Sequence, residues 1–93
     1  NIIVVNMANV FGNFKIIPQP ITDFSRLEFV YALGQNWILE IVEPKGYFIY
    51  RDEYVYTGSY PLSRAMFKSP GIYFFRLYLA DGSQVIRGRM VVM

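Results

Sequence analysis

Apolar and polar residues alternate over short stretches of this chain, which is the pattern of β-strands with one buried face. Residues 25–31 place Leu27, Phe29 and Tyr31 on one face of a strand, with charged side chains on the other. Residues 36–43 give two faces, formed by Trp37, Leu39 and Ile41 and by Ile38, Glu40 and Val42. No segment predicts a helix, because Gly and Pro interrupt the chain at short intervals and strand-forming residues fill the segments between them.

Further segments bring the prediction to about seven strands, an all-β chain folded as an antiparallel β-sandwich or a small barrel. Residues 13–17 form a strand that stops at Pro18 and Pro20, which have no N–H to donate to a ladder. A turn over residues 43–46 uses Gly46 for a positive φ. The other predicted segments are 47–56 as one strand or two short ones, a break at 57–61, a weak strand at 62–67, a turn at 68–71 and a terminal hairpin.

The 93 residues make one domain. We divide the chain into residues 1–12, a linker or a short N-terminal strand, and a domain over residues 13–93. The chain begins at Asn1 without an initiator Met or a signal peptide, so we expect a processed product or a fragment. No apolar run approaches the roughly 20 residues of a membrane-spanning helix, and we predict no transmembrane segment.

The terminal hairpin is the most specific prediction. Asp81 and Gly82 lie between two apolar runs and favour a two-residue type I′ turn, which places Arg76 directly opposite Arg87. One face of this hairpin is predicted to be core and carries Tyr73, Phe75, Leu77, Leu79, Ile86, Met90 and Val92. The opposite face carries Ile72, Phe74, Arg76, Tyr78, Val85, Arg87, Arg89 and Val91.

This opposite face predicts an interaction surface, because aromatic residues with arginine, and without Lys or Glu, are typical of interfaces. The pairing of Arg76 with Arg87 costs a few tenths of a kcal/mol unless an anionic group lies between them. One alternative stays open: acidic neighbouring strands neutralise the arginines, or the aromatic residues have only a high strand propensity.

Composition excludes several kinds of chemistry. The chain has no Cys and no His, which removes disulfides, the usual ligands of zinc, haem and copper, and the Ser-His-Asp arrangement. The net charge of +2 is too small to indicate nucleic-acid binding. The charge is unevenly placed: five basic residues and one acidic residue in 63–93 give +4, whereas four basic and six acidic residues in 1–62 give −2.

The remaining candidates for chemistry are better explained by structure. No two of the seven carboxylates mark an acid–base pair, and we expect them on solvated strand faces and turns. The glycines are too scattered for a phosphate loop. Trp37 and the tyrosines at 47, 50, 54, 56 and 60 suggest an aromatic platform for a sugar, although core and cross-strand packing explains most tyrosines in such a fold. We therefore predict that the chain is not an enzyme and has no catalytic, cofactor-binding or metal-binding residues.

The order of the motifs resembles one family, the type A C-terminal sorting domains of the Bacteroidetes type IX secretion system. Its first strand ends in P-x-P, as in IIPQP at 16–20. The next strands match DFSRLEFVY at 23–31 and WILEIVEPKGYFIY at 37–50. A G-x-Y motif followed by an apolar strand matches GIYFF at 71–75, and the terminal basic and apolar strand matches RGRMVVM at 87–93.

The resemblance implies an Ig-like β-sandwich that directs an attached cargo protein across the outer membrane, passing through the periplasm to the cell surface or the medium. It implies as partners an outer-membrane barrel shuttle and the translocon, with a sortase-like protease as a further partner, and it implies no cofactor. The partner-binding residues on this interpretation are Gly71, Tyr73, Arg76, Arg87, Arg89, Met90, Val91, Val92 and Met93. Residues with a structural role are Pro18, Pro20, Gly46, Asp81 and Gly82.

Two other functions remain open on the sequence. The first is a structural Ig-like spacer or adhesion module of a cell-surface protein, and the second is a carbohydrate-binding module. An exposed terminal strand edge also favours a homodimer or strand exchange.

Overall fold

A computed structural model describes residues 14–93, and the predicted linker or short strand over residues 1–12 lies outside them. The described part of the chain folds into seven strands and a single 3₁₀ turn, Arg64–Met66. The strands are β1 (Phe14–Ile17), β2 (Arg26–Phe29), β3 (Trp37–Val42), β4 (Phe48–Val55), β5 (Ser59–Pro61), β6 (Gly71–Leu79) and β7 (Val85–Val92).

The strands form two antiparallel sheets. Three of them make a sheet in the order β1-β2-β5, and four make a second sheet in the order β4-β3-β6-β7. These orders correspond to strands A-B-E and C′-C-F-G of an immunoglobulin-like sandwich. The prediction of an all-β, Ig-like antiparallel sandwich of about seven strands is confirmed.

The inward faces of the two sheets form one apolar core. Ile16, Leu27 and Tyr60 come from the three-stranded sheet, and Trp37, Leu39 and Ile41, which the alternation placed on one face, come from the four-stranded sheet. The inner face of the terminal hairpin is also buried as predicted, with Tyr73, Phe75, Leu77, Leu79, Ile86, Met90 and Val92. Each large apolar side chain removed from water in this way stabilises the fold by about 1.5–3 kcal/mol.

The prediction for residues 57–67 was wrong. We expected a break at 57–61 and a weak strand at 62–67, but the strand is β5 and the later residues contain the 3₁₀ turn. Tyr60 faces the core opposite Leu27, and Pro61 lies opposite Arg26 in a strand at the sheet edge, where a missing N–H is tolerated. Gly58, Ser59 and Pro61 are turn-forming residues on both sides of Tyr60. A strand of only three residues among them gives no alternating pattern from which it could be predicted.

Candidate partner-binding surface

The terminal hairpin has the predicted register but a different turn. Arg76 lies opposite Arg87, as predicted. The expected two-residue turn at Asp81 and Gly82 is replaced by a four-residue loop, 80–83, closed by the pair Leu79 and Gln84. The cause is tertiary: the Ala80 N–H donates to the Asn36 carbonyl at 2.9 Å and is not available to pair with Ser83.

Within this loop the predicted turn residues keep structural roles. Gly82 has a φ of 80°, and its N–H donates to the Leu79 carbonyl at 2.8 Å. The Asp81 carboxylate accepts a hydrogen bond from the Ser83 N–H at 2.8 Å. Gly46 is likewise in the predicted turn between β3 and β4, with a φ of 94°.

Four of the predicted partner-binding residues do not present their side chains to a partner. Tyr73, Met90 and Val92 are buried in the core, and Gly71 has no side chain. Tyr73 stacks edge-on against Phe67 at 4.8 Å between ring centroids, and its hydroxyl donates to the Ser69 carbonyl at 2.8 Å. A tyrosine near the start of strand F that bonds back to the preceding corner is a structural hallmark of Ig-like sandwiches. The G-x-Y motif is therefore explained by folding.

The exposed candidates lie on the outer face, which we define as the solvent side of the four-stranded sheet. Strand pairing aligns one charged row across it, from Arg51 on β4 through Glu40 on β3 and Arg76 on β6 to Arg87 on β7. The next row carries mainly apolar side chains: Phe48, Val42, Phe74 and Arg89. Ile72 and Val91, a further cross-strand pair, extend this apolar region and are both exposed.

Glu40 is the centre of the charged row and was not predicted as a site residue. We expected solvated carboxylates, but only 2% of Glu40 is exposed. Arg76 donates to Glu40 Oε1 through Nε at 3.1 Å and Nη2 at 2.6 Å. Arg51 and the Tyr78 hydroxyl, the latter at 3.0 Å, donate to Oε2. The only sequence signal was a carboxylate in the middle of an otherwise apolar strand, which is expensive to bury without partners.

These partners keep Glu40 ionised. Burial raises the pKa of the Glu40 carboxyl, but the hydrogen bonds from Arg76 and Tyr78 and the charges of Arg76 and Arg51 outweigh burial, so that its pKa lies below the usual value. A carboxylate has about four acceptor positions, and the hydrogen bonds described above occupy them. Glu40 therefore has no capacity left for a further donor.

Arg87 and Arg89 remain without a carboxylate. All seven Asp and Glu residues of the chain lie within the described residues, and their ion pairs join Glu40 to Arg51 and Arg76 and Glu53 to Arg51. The open alternative, that acidic strands neutralise the arginines, therefore holds for Arg76 and not for the two arginines of β7.

A groove of about 330 Å³ opens beside Arg87. Its apolar wall is formed by Val42, Phe48 and Phe74, and its charged side by Glu40, Arg76 and Arg87. Phe48 is 63% exposed and Phe74 is 43% exposed, so both rings are accessible to a partner. We call this feature the Phe74 groove.

The end of β7 is covered by the proline segment. The peptide bonds before Pro18 and Pro20 are both cis. Gln19, between them, accepts a hydrogen bond from the Val91 N–H through Oε1 at 2.9 Å, and the Ile21 N–H donates to the Val91 carbonyl at 2.8 Å. Gln19 and Ile21 thus occupy both outward main-chain groups of Val91, and strand addition at this position is blocked.

Further hydrogen bonds hold the proline segment and the C-terminal residue in place. The Ser25 hydroxyl donates to the Pro18 carbonyl at 2.8 Å and accepts the Thr22 N–H at 2.9 Å. Arg64 Nε donates to the main-chain oxygen of Met93 at 2.9 Å, while 74% of Met93 is exposed.

The tyrosines of the suggested sugar platform differ in their exposure to solvent. Tyr47, Tyr54 and Tyr56 are exposed, whereas Tyr60 is buried. The Tyr60 hydroxyl donates to Asp52 Oδ2 at 2.6 Å and is hydrogen-bonded to the Tyr50 hydroxyl, which links the two sheets. Burial first, and then these hydrogen bonds, raises the pKa of Tyr60 well above its usual value.

Comparison with protein-family models gives no match for this chain, and comparison with curated proteins gives none either. Among the described residues no group of three or more Asp and Glu side chains is placed to hold a metal ion. Residues 14–93 also contain no helix with the length and apolarity needed to cross a membrane. The class of protein that the structure defines is an Ig-like β-sandwich.

Proposed function

We propose that this chain is a non-catalytic C-terminal sorting domain that directs an attached cargo protein across the outer membrane through a type IX secretion system. The partners would be an outer-membrane shuttle and the translocon, and the location would change from the periplasm to the cell surface or the medium. The motif order from IIPQP to RGRMVVM supports this proposal.

The observation that carries the proposal is the outer face of the terminal hairpin. Arg87 and Arg89 lack a carboxylate partner and lie beside the exposed side chains of Phe74 and Val91. A surface that combines uncompensated arginines with exposed apolar groups is suited to recognition by another protein.

The test is a secretion assay in a Bacteroidetes host, with residues 1–93 fused to the C-terminus of a periplasmic fluorescent reporter. A deletion of residues 89–93 is unsuitable because Met90 and Val92 belong to the core. The informative variant is Arg87→Gln with Arg89→Gln, and the matched control is Lys15→Gln with Lys68→Gln, which removes the same charge from exposed positions elsewhere.

We expect the wild-type and control fusions to reach the surface or the medium, and the arginine variant to stay in the periplasm while folding normally. If the wild-type fusion itself stays in the periplasm in folded form, the sorting proposal is wrong. The structural spacer is then the function to pursue, since its fold is the same.

A further inference from the structure

The geometry points to the chemistry of the partner: the outer face binds an extended peptide segment that carries an apolar side chain and, at alternate positions, acidic side chains. The apolar side chain occupies the Phe74 groove, and the acidic side chains pair with Arg87 and Arg89. The inference rests on the proposed function for its biological setting, because it names the kind of segment that the secretion machinery would present.

The charge of the surface carries the first step. Arg87 lies opposite Arg76, whose charge is already neutralised by Glu40. The carboxylate of Glu40 has no acceptor position left for Arg87. Two uncompensated guanidinium groups on one face attract carboxylates, and arginine binds a carboxylate through two parallel hydrogen bonds.

The spacing of the two arginines carries the second step. Arg87 and Arg89 are alternate residues of β7, so that their side chains leave the same face about 6.6–6.8 Å apart along the strand. An extended segment has the same repeat between alternate side chains. Acidic residues two positions apart in such a segment therefore match both arginines at once.

The groove supplies the apolar part of the recognition. Phe74 lies opposite Arg89 on the neighbouring strand, and its ring and that of Phe48 form exposed walls of the 330 Å³ groove. That volume is at the lower end of ligand pockets and suits one aromatic or aliphatic side chain. A partner carrying only charge would leave these rings in water, which is why the apolar residue belongs to the recognised pattern.

The probe is a short fluorescein-labelled, capped peptide in which one phenylalanine and two glutamates alternate with threonines, and the readout is fluorescence anisotropy. The control peptide has glutamines in place of both glutamates. The protein variants are Arg87→Gln with Arg89→Gln, Phe74→Thr, and the control pair Lys15→Gln with Lys68→Gln. All five of these side chains are exposed, and a thermal melt monitored by circular dichroism checks that every variant is folded.

We expect the arginine variant to bind the glutamate peptide about tenfold more weakly than wild type and to bind the glutamine peptide as wild type does. Phe74→Thr should weaken the binding of both peptides, and the lysine control should change the binding of neither. Equal binding of the two peptides by wild type would overturn the inference. So would binding of the protein to phosphatidylglycerol vesicles without binding of the glutamate peptide.

Different results would overturn the sorting function and the peptide-binding inference. Specific binding of the glutamate peptide, together with a wild-type fusion that is not secreted, overturns the proposed function and leaves the peptide inference standing. Secretion that depends on Arg87 and Arg89, without binding of the glutamate peptide, overturns the inference and leaves the function standing.

Discussion

Arg76 of β6 and Arg87 of β7 lie directly opposite each other, yet only Arg76 has a carboxylate partner. Glu40 reaches Arg76 from β3, the neighbour of β6 on its other side. β7 is the edge strand of the sheet, so Arg87 has no equivalent neighbour among the described strands. The same cross-strand pair therefore contains one arginine that stabilises the domain and one that is available to a partner.

Removal of the Glu40 charge should destabilise the domain. Glu40→Gln leaves the guanidinium groups of Arg51 and Arg76 facing each other without an anion, and we expect a loss of about 1–3 kcal/mol in the free energy of unfolding. The loss is smaller than for a fully buried ion pair because both arginine side chains are nearly half exposed. Urea unfolding at neutral pH measures it.

The control for this experiment is Glu53→Gln, since Glu53 pairs with Arg51 at 2.9 Å but is 53% exposed. Its effect should be within about 0.5 kcal/mol of wild type. Similar losses for the two variants would contradict a special role of Glu40.

The same carboxylate should make stability depend on pH in the acid range. The pKa of Glu40 is lower in the folded state than in the unfolded state, because Arg51, Arg76 and Tyr78 favour its ionised form. The resulting stability is complete above the unfolded pKa of about 4.3 and is lost as the pH falls through the folded pKa. The difference in free energy of unfolding between wild type and Glu40→Gln should therefore narrow below about pH 4.3. A difference that stays constant into that range would show that ionisation of Glu40 is not involved.

A side chain at Gly88 should destabilise the domain. A Cβ at this position would lie 2.4 Å from Phe14 Cζ and 2.7 Å from Phe75 Cε1. The Phe14 ring is partly exposed and can shift, but Phe75 is buried, so we expect Gly88→Ala to cost about 1–3 kcal/mol in thermal or urea unfolding.

A double-mutant cycle tests whether the Phe14 ring contributes to that cost. In a Phe14→Leu background the same Gly88→Ala substitution should cost less, because two of the three closest contacts involve the ring of Phe14. An equal cost in both backgrounds would assign the whole effect to Phe75 or to the backbone.

The hydrogen bond between the Val91 N–H and Gln19 should slow hydrogen exchange of the Val91 amide. Gln19→Ala removes the acceptor of the Val91 N–H, and exchange of that amide, followed by NMR, should become roughly fivefold faster while core amides keep their rates. Gln84→Ala, at the exposed position next to the hairpin loop, is the control and should leave the exchange of Val91 unchanged. Unaltered exchange of Val91 in Gln19→Ala would mean that the Ile21 contact alone covers this part of β7.

The sequence alone determined the elements that depend on local periodicity. The alternation in residues 36–43 placed Trp37, Leu39 and Ile41 on one face of a strand, and the Asp81-Gly82 pair set the register that places Arg76 opposite Arg87. Side chains of a strand alternate between two faces, so a short segment contains all the information needed for these predictions.

The tertiary structure determined which groups on those strands are buried, paired or covered. Glu40 is buried and ionised only because Arg51 and Arg76, 11 and 36 residues away, reach it from neighbouring strands. The end of β7 is covered because Gln19, 72 residues from Val91, crosses to the sheet edge. The loop at residues 80–83 replaced the expected tight turn because the Ala80 N–H pairs with Asn36 of another segment. A hydrogen bond or an ion pair between distant segments has no local sequence period, so these features follow only from the way the strands are assembled.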